Sequence, residues 1–175
     1  MATFTRVDLT LAYVAVVRIL GIDPGTQVVG YGCLEVDVSA NDAPAERLPM
    51  ALRGSNVVRA GGGSTGAVRV IAAGTLQLGR RTSVPERLHA LSDRFRQLLV
   101  ELSPDELALE EAFQGKSVQA ALRVGEARGV VLADAIRARI GVHQFAPARI
   151  KRCVTGNGAA PKEVVAAMVV RLLQV

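Results

Sequence analysis

The chain has 175 residues, half of them apolar and 3% aromatic, with 21 Lys and Arg against 16 Asp and Glu and a formal net charge of +5. That length suits a single domain with an aliphatic core, and the positive charge favours a polyanionic partner. Cys33 and Cys153 form no CxxC pair and have no His cluster nearby. This argues against a zinc site and against a disulfide scaffold, and both are expected to be reduced, buried thiols.

Residues 9–17 are apolar enough to imitate the core of a signal peptide. Asp8 precedes them, however, no small-residue cleavage site is evident, and the run is too short to cross a bilayer. Residues 1–17 therefore read as an extension, either a pre-strand or a misplaced translation start, ahead of a cytoplasmic domain over 18–175. Residues 14–22 are rich in β-branched side chains and read as a first strand. A Pro24-Gly25 turn links it to a second strand over 28–38. Residues 37–69, rich in Ala, Gly, Asn and Arg and containing Gly61-Gly62-Gly63-Ser64, have no sustained period and read as a flexible insert. A third strand follows over 70–78. Ser83 and Glu86 form a capping box with Pro85 in the first turn. Leu88, Leu91, Phe95, Leu98 and Leu99 then recur at helical spacing, which predicts a helix over 84–102.

Pro104-Asp105 ends that helix and launches a strand over 106–111. Ser117 opens a long helix to about Ile140, with Ala121, Val124, Ala127, Val131 and Ala135 on one face. A fifth strand is expected over 142–146. A last helix begins at Pro161 and Lys162, with Val164, Val165, Met168 and Leu172 as its expected buried stripe. Three strands, a helix, a strand, a helix, a strand and a helix give an α/β layered fold with a mixed sheet.

Two blocks carry chemistry. Gly21-Ile22-Asp23-Pro24-Gly25-Thr26 and Leu107-Ala108-Leu109-Glu110-Glu111-Ala112-Phe113 each follow an apolar run with an acid. An acid at a strand exit is held close to the backbone, and two such acids on neighbouring strands can share a divalent cation with a phosphate. Hydrolysis of a phosphodiester needs a water made nucleophilic at neutral pH and a stabilised leaving oxygen. Two magnesium ions supply both, with carboxylates as their natural hard ligands. Asp23 and Glu110 are the candidates, while strand alternation turns Glu111 to the other face. The plainer alternatives are an Asp23 that only bonds its own turn and a Glu110 that is a solvated strand-end acid.

Together the two blocks, the second running on as LEEAFQGKSVQAALRVGEARGV, resemble the RuvC Holliday junction resolvases of the RNase H-like superfamily. The likeness spans residues 18–175 apart from the insert. It implies an RNase H-like fold with a five-stranded mixed sheet flanked by helices, and a homodimer that nicks four-way DNA junctions in recombination and repair with two Mg2+ ions per site. It also implies work alongside a branch-migration motor, RuvA and RuvB. Asp23 and Glu110 would be the first two metal-binding carboxylates, and Lys151, Lys162 and Lys116 DNA-binding residues. Phe113 would stack on unpaired bases; its alternative is a core side chain capping the sheet. Arg123, Arg128, Arg137 and Arg139 spread round a helix and read as solvated or phosphate-contacting charge. Family members continue past the last helix into an Asp-containing segment with two further carboxylates. Asp134, mid-helix, is no replacement, so this polypeptide, taken as the whole product, is expected to be a poor or inactive nuclease. Two other readings are a noncatalytic module that grips branched DNA and a fragment of an actin-like phosphotransferase, which would need a second lobe.

Overall fold

A computed structural model of the chain describes residues 14–39, 68–79, 81–111 and 117–174. Phe113, Lys116, residues 1–13 and residues 40–67 lie outside the described residues. The elements are β1 (Val14–Asp23), β2 (Val28–Ser39), β3 (Val68–Gln77), α1 (Val84–Leu102), β4 (Glu106–Glu110), α2 (Val118–Arg137), β5 (Gly141–Phe145), α3 (Pro147–Thr155) and α4 (Lys162–Leu173). The five strands form one mixed sheet in the order β3-β2-β1-β4-β5. β1, β2 and β3 pair antiparallel, and β4 and β5 run parallel to β1.

The parallel half of this sheet is set by one polar junction. α1 closes at Ser103, which adopts a left-handed φ of 45° and donates its N–H to the Leu99 carbonyl. The chain then meets β1 at Arg18. The Arg18 N–H donates to Asp105 Oδ2 at 2.8 Å, and the Asp105 N–H donates to the Arg18 carbonyl at 2.9 Å. Arg18 also donates from Nη1 to the Leu102 carbonyl at 3.2 Å. These bonds start β4 beside β1 in a fixed register, Ile19 opposite Glu106 and Ile22 opposite Leu109. Arg18 and Arg69 both pair with Glu35, which is buried. The hydrogen bond from Arg18, seconded by the charge of Arg69, holds the Glu35 carboxyl below its ordinary range against the opposing effect of desolvation.

One face of the sheet packs on α1 and α2. Leu20 and Ile22 of β1, Val29 and Cys33 of β2, and Leu107 and Leu109 of β4 meet Leu91, Phe95, Leu98 and Leu99 of α1 and Ala127, Val131 and Ala135 of α2. The small residues of α2 let the two helices approach closely. Asp134 is buried in this contact, where it accepts a hydrogen bond from Ser92 of α1 at 2.7 Å and pairs with Arg137. It is a satisfied structural acid, remote from the strand exits.

Several sequence-based expectations shift. β1 begins at Val14 as its β-branched run predicts, whereas β2 continues through Ser39 and β3 begins at Val68, so the ladder takes in the margins of the expected insert. α2 ends at Arg137, not near Ile140, because Arg139 turns left-handed (φ 61°) and lets the Ile140 N–H reach the Ala135 carbonyl. α3 was not foreseen. It is short and basic and buries no residue fully, and its apolar spacing at Ile150 and Val154 covers too few turns to stand out; Pro147 at its start and a left-handed Gly156 at its end are its clearest signals. The stripe expected to be buried on α4 is largely open, with Val164 48% and Leu172 59% exposed. Periodicity marks an apolar face but not what covers it. Cys33 is buried, and burial pushes its thiol pKa up, whereas Cys153 is exposed against expectation.

Phe95 is fully buried at the centre of the helix-sheet contact. Phe95→Ala is expected to cost about 3–5 kcal/mol, read as a lower denaturation midpoint in urea; a loss within error would place the core elsewhere.

Candidate active site

The register of β1 and β4 determines where the two motif acids stand. Ile22 faces Leu109 across the parallel pair, so Asp23 and Glu110 occupy the next rung, each at the last residue of its strand. Alternation puts both carboxylates on the sheet face opposite the Leu20, Ile22, Leu107 and Leu109 side chains. They approach within hydrogen-bonding reach of each other. Beyond Asp23 the chain must turn at once. Pro24 is buried, and a Cβ on Gly25 would collide with the Val28 carbonyl, which explains a glycine at that position.

Glu110 carries the electrostatic mark of this arrangement. Its carboxyl is raised above the ordinary glutamate range, first by burial, then by the charge of Asp23 and the hydrogen bond between the two, while Lys151 pulls the other way. Lys151 thus stands near the pair. Its ammonium donates to the Ala160 carbonyl at 2.9 Å, and the loop that supplies this carbonyl is pinned in turn by Thr155, whose hydroxyl accepts from the Asn157 N–H at 3.1 Å. Lys162 is exposed in the first turn of α4 and makes no hydrogen bond or ion pair with the described residues. Glu111 is exposed just beyond β4, and its N–H donates to the Phe145 carbonyl at 2.9 Å.

Arg128, read from the sequence as a surface charge, has a more specific place. Its guanidinium donates to the Glu110 carbonyl and to the Gln144 side chain. It ties α2 to the exits of β4 and β5 and so holds the backbone that carries Glu110. A sequence offers no direct signal for such a bond, because helical periodicity leaves Arg128 on the flank of the buried face. Arg123 pairs with Glu126 at 2.8 Å and Arg137 with Asp134.

Two carboxylates at neighbouring strand exits are a natural seat for a hard divalent cation, since the ion offsets both the burial and the neighbouring charge that raise Glu110. Among the described residues no group of three or more His, Cys, Asp and Glu gathers, so the donors at this rim are these two carboxylates. They fit Mg2+ by chemistry, with water or substrate oxygens left to complete its coordination.

A sheet of three antiparallel strands extended by two parallel ones, with acids at adjacent exits, is the α/β architecture of the RNase H-like proteins. The family model described as crossover junction endodeoxyribonuclease RuvC matches residues 50–175. The RuvC of Porphyromonas gingivalis is 36% identical over 157 residues, 90% of this chain and 69% of its own length. That of Halorhodospira halophila is 35% identical over 157 residues, covering 90% and 77%. The solved structure of Thermus thermophilus RuvC in complex with its Holliday junction substrate superposes with a TM-score of 0.69 at 25% identity, covering 91% of this chain and 81% of that one. The chain belongs to the RuvC family of crossover junction endodeoxyribonucleases.

Because the folded-state carboxyl of Glu110 is raised, the native state binds a proton more readily than the unfolded chain. This group therefore costs stability above its raised pKa and costs nothing once the pH falls below about 4.5, where both states are protonated. Glu110→Gln is expected to raise the Tm at pH 7 and to lose that advantage at pH 4. Melting curves at the two pH values check it; equal Tm at pH 7 would remove this cost from the account.

Proposed function

We propose that the protein hydrolyses phosphodiesters at four-way DNA junctions, with Asp23 and Glu110 as the metal-holding carboxylates. The observation that carries this reading is the placing of two acids on the same rung at neighbouring strand exits, where burial and then the charge of Asp23 raise the Glu110 carboxyl. Bound there, Mg2+ would activate water and neutralise charge on the departing oxygen. Asp23 at the exit of β1 and Glu110 at the exit of β4 would be the residues that hold the metal. Arg128 keeps the Glu110 backbone in place. Lys151, steered by its bond to Ala160, sets a positive charge beside the site where the DNA phosphate must come. Lys162 and Lys116 extend that charge along the strand, and Phe113, which directly follows the Glu110 motif, stacks on a base unpaired at the crossover.

Cutting two opposed strands of a symmetric junction calls for two sites related by a two-fold axis, hence a homodimer. α2 offers a surface of the right kind. The face opposite its buried stripe carries Val118, Leu122 and Ile136, exposed at 79%, 64% and 66%, and Gly125 and Gly129, whose Cβ positions meet open space. Apolar side chains exposed together on one helix face are characteristic of interaction sites. Leu122→Arg is expected to convert a dimer into a monomer in sedimentation at micromolar concentration, with the Tm of each subunit kept; an unchanged sedimentation coefficient would move the interface elsewhere. A branch-migration motor of RuvA and RuvB is the proposed functional partner.

A second reading, a module that grips branched DNA without cutting it, is favoured by the count of two carboxylates among the described donors, because fewer anionic ligands hold Mg2+ more weakly. Incubating the protein with a synthetic four-way junction and millimolar Mg2+ separates the two. Paired nicks that vanish in Asp23→Asn while junction binding persists support the nuclease. Binding with no nicks favours the module, and nicking retained by Asp23→Asn would defeat the metal assignment.

A further inference from the structure

Behind the Asp23 turn, on the sheet face opposite the carboxylates, lies a narrow cleft that the mechanism above does not use. It is lined by Gly25 and Thr26 of the turn, Leu78, Val84 and Leu88, Ala127 of α2, and two arginines, Arg87 of α1 and Arg123 of α2. Leu78 and Ala127 belong to the main core, so the cleft has an apolar floor and a cationic mouth. We propose that Thr26, Arg87 and Arg123 grip a phosphodiester of the DNA strand that crosses this rim, a contact that rests on the junction-binding reading and extends it to the back of the turn.

Three observations support this. First, the two arginines reach one cleft from different helices, and each is partly buried there. Arg87 is oriented by its Nη1 donating to the Thr82 carbonyl at 2.7 Å. A planar guanidinium offers paired N–H groups to phosphate oxygens, and the Thr26 hydroxyl adds a neutral donor on the side of the turn. Second, the cleft encloses about 10 Å³, room for no more than a water molecule. A base or a free nucleotide cannot enter, whereas a backbone phosphate resting across the mouth needs no interior volume. Third, the nearest restraint on Arg123 is an acid of its own helix, Glu126, at 2.8 and 3.0 Å. That pair is exposed and contributes little by itself, so an incoming phosphate can displace Glu126 from Arg123.

The competition with Glu126 gives the proposal a signature of opposite signs. Binding of the 175-residue protein to a labelled four-way junction is measured by anisotropy without Mg2+ over a series of salt concentrations. Arg87→Gln and Arg123→Gln are each expected to weaken binding about five-fold and to lower the slope of log K against log salt by about 1. Glu126→Gln is expected to tighten binding, because it frees Arg123. Arg96→Gln, the same charge change on the far side of α1, controls for the general field and should lower the affinity far less. Equal affinity and slope for the Arg87→Gln, Arg123→Gln double variant and the parent, or weaker binding by Glu126→Gln, would overturn the proposal while leaving the junction reading intact. A parent that does not bind the junction at low salt would instead bring down that reading and this contact with it. Inorganic sulfate competing at millimolar concentration in the parent, with no effect on the double variant, would support the anion site independently of DNA.

Discussion

The arrangement of this molecule depends on the parallel pairing of β1 with β4, and that pairing is fixed by the reciprocal bonds between Arg18 and Asp105. Parallel strands have no hairpin to set their register. Here the register comes from the end of α1, where a left-handed Ser103 stops the helix and Asp105 meets the backbone of Arg18. Every rung above that junction follows, so the meeting of Asp23 and Glu110 at the other end of the strands is a consequence of contacts at the start of them. A slip of one residue would send one of the acids to the opposite face, into the hydrophobic core.

The same geometry explains why the rim is both strained and useful. The Glu110 carboxyl is raised first by its burial and then by the charge of Asp23 beside it. The rest of the fold absorbs this cost through the packing of Phe95 and its neighbours and through Asp134, an acid whose partners are complete. The contrast between the two buried or half-buried acids is instructive. Asp134 has a hydroxyl and a guanidinium and is structural; Glu110 faces another carboxylate, an arrangement that only a cation or a proton relieves. Arg128 links the two halves of this design by holding the strand that presents Glu110 to the helix that carries Asp134.

Much of the outline was legible in the chain. The Ser83 capping box and the spacing of Leu91, Phe95, Leu98 and Leu99 located α1 to the residue, and the two acidic motifs named the pair that the fold brings together. α3 escaped because nine residues give its amphipathic period too few turns to stand out and it buries no side chain fully. The exposure of Val164 and Leu172 was equally hidden, since an apolar stripe reads alike whether or not another element covers it. Of the basic residues, Lys151 stands near the carboxylates, whereas Lys162 has no contact with the described residues that ties it to them.

The sequence by itself determined all the described elements except α3, to within a few residues at their ends, because capping, turns and hydrophobic periods are local properties of neighbouring side chains. It could also mark Asp23 and Glu110 as strand-exit acids. Only the tertiary structure decided that these carboxylates touch, that Arg128 turns from surface charge into a support for Glu110, and that Arg87 and Arg123 share one cleft mouth. Those facts depend on strand register and on helices packed from distant parts of the chain, and such long-range geometry is set by the whole core, which no local pattern contains.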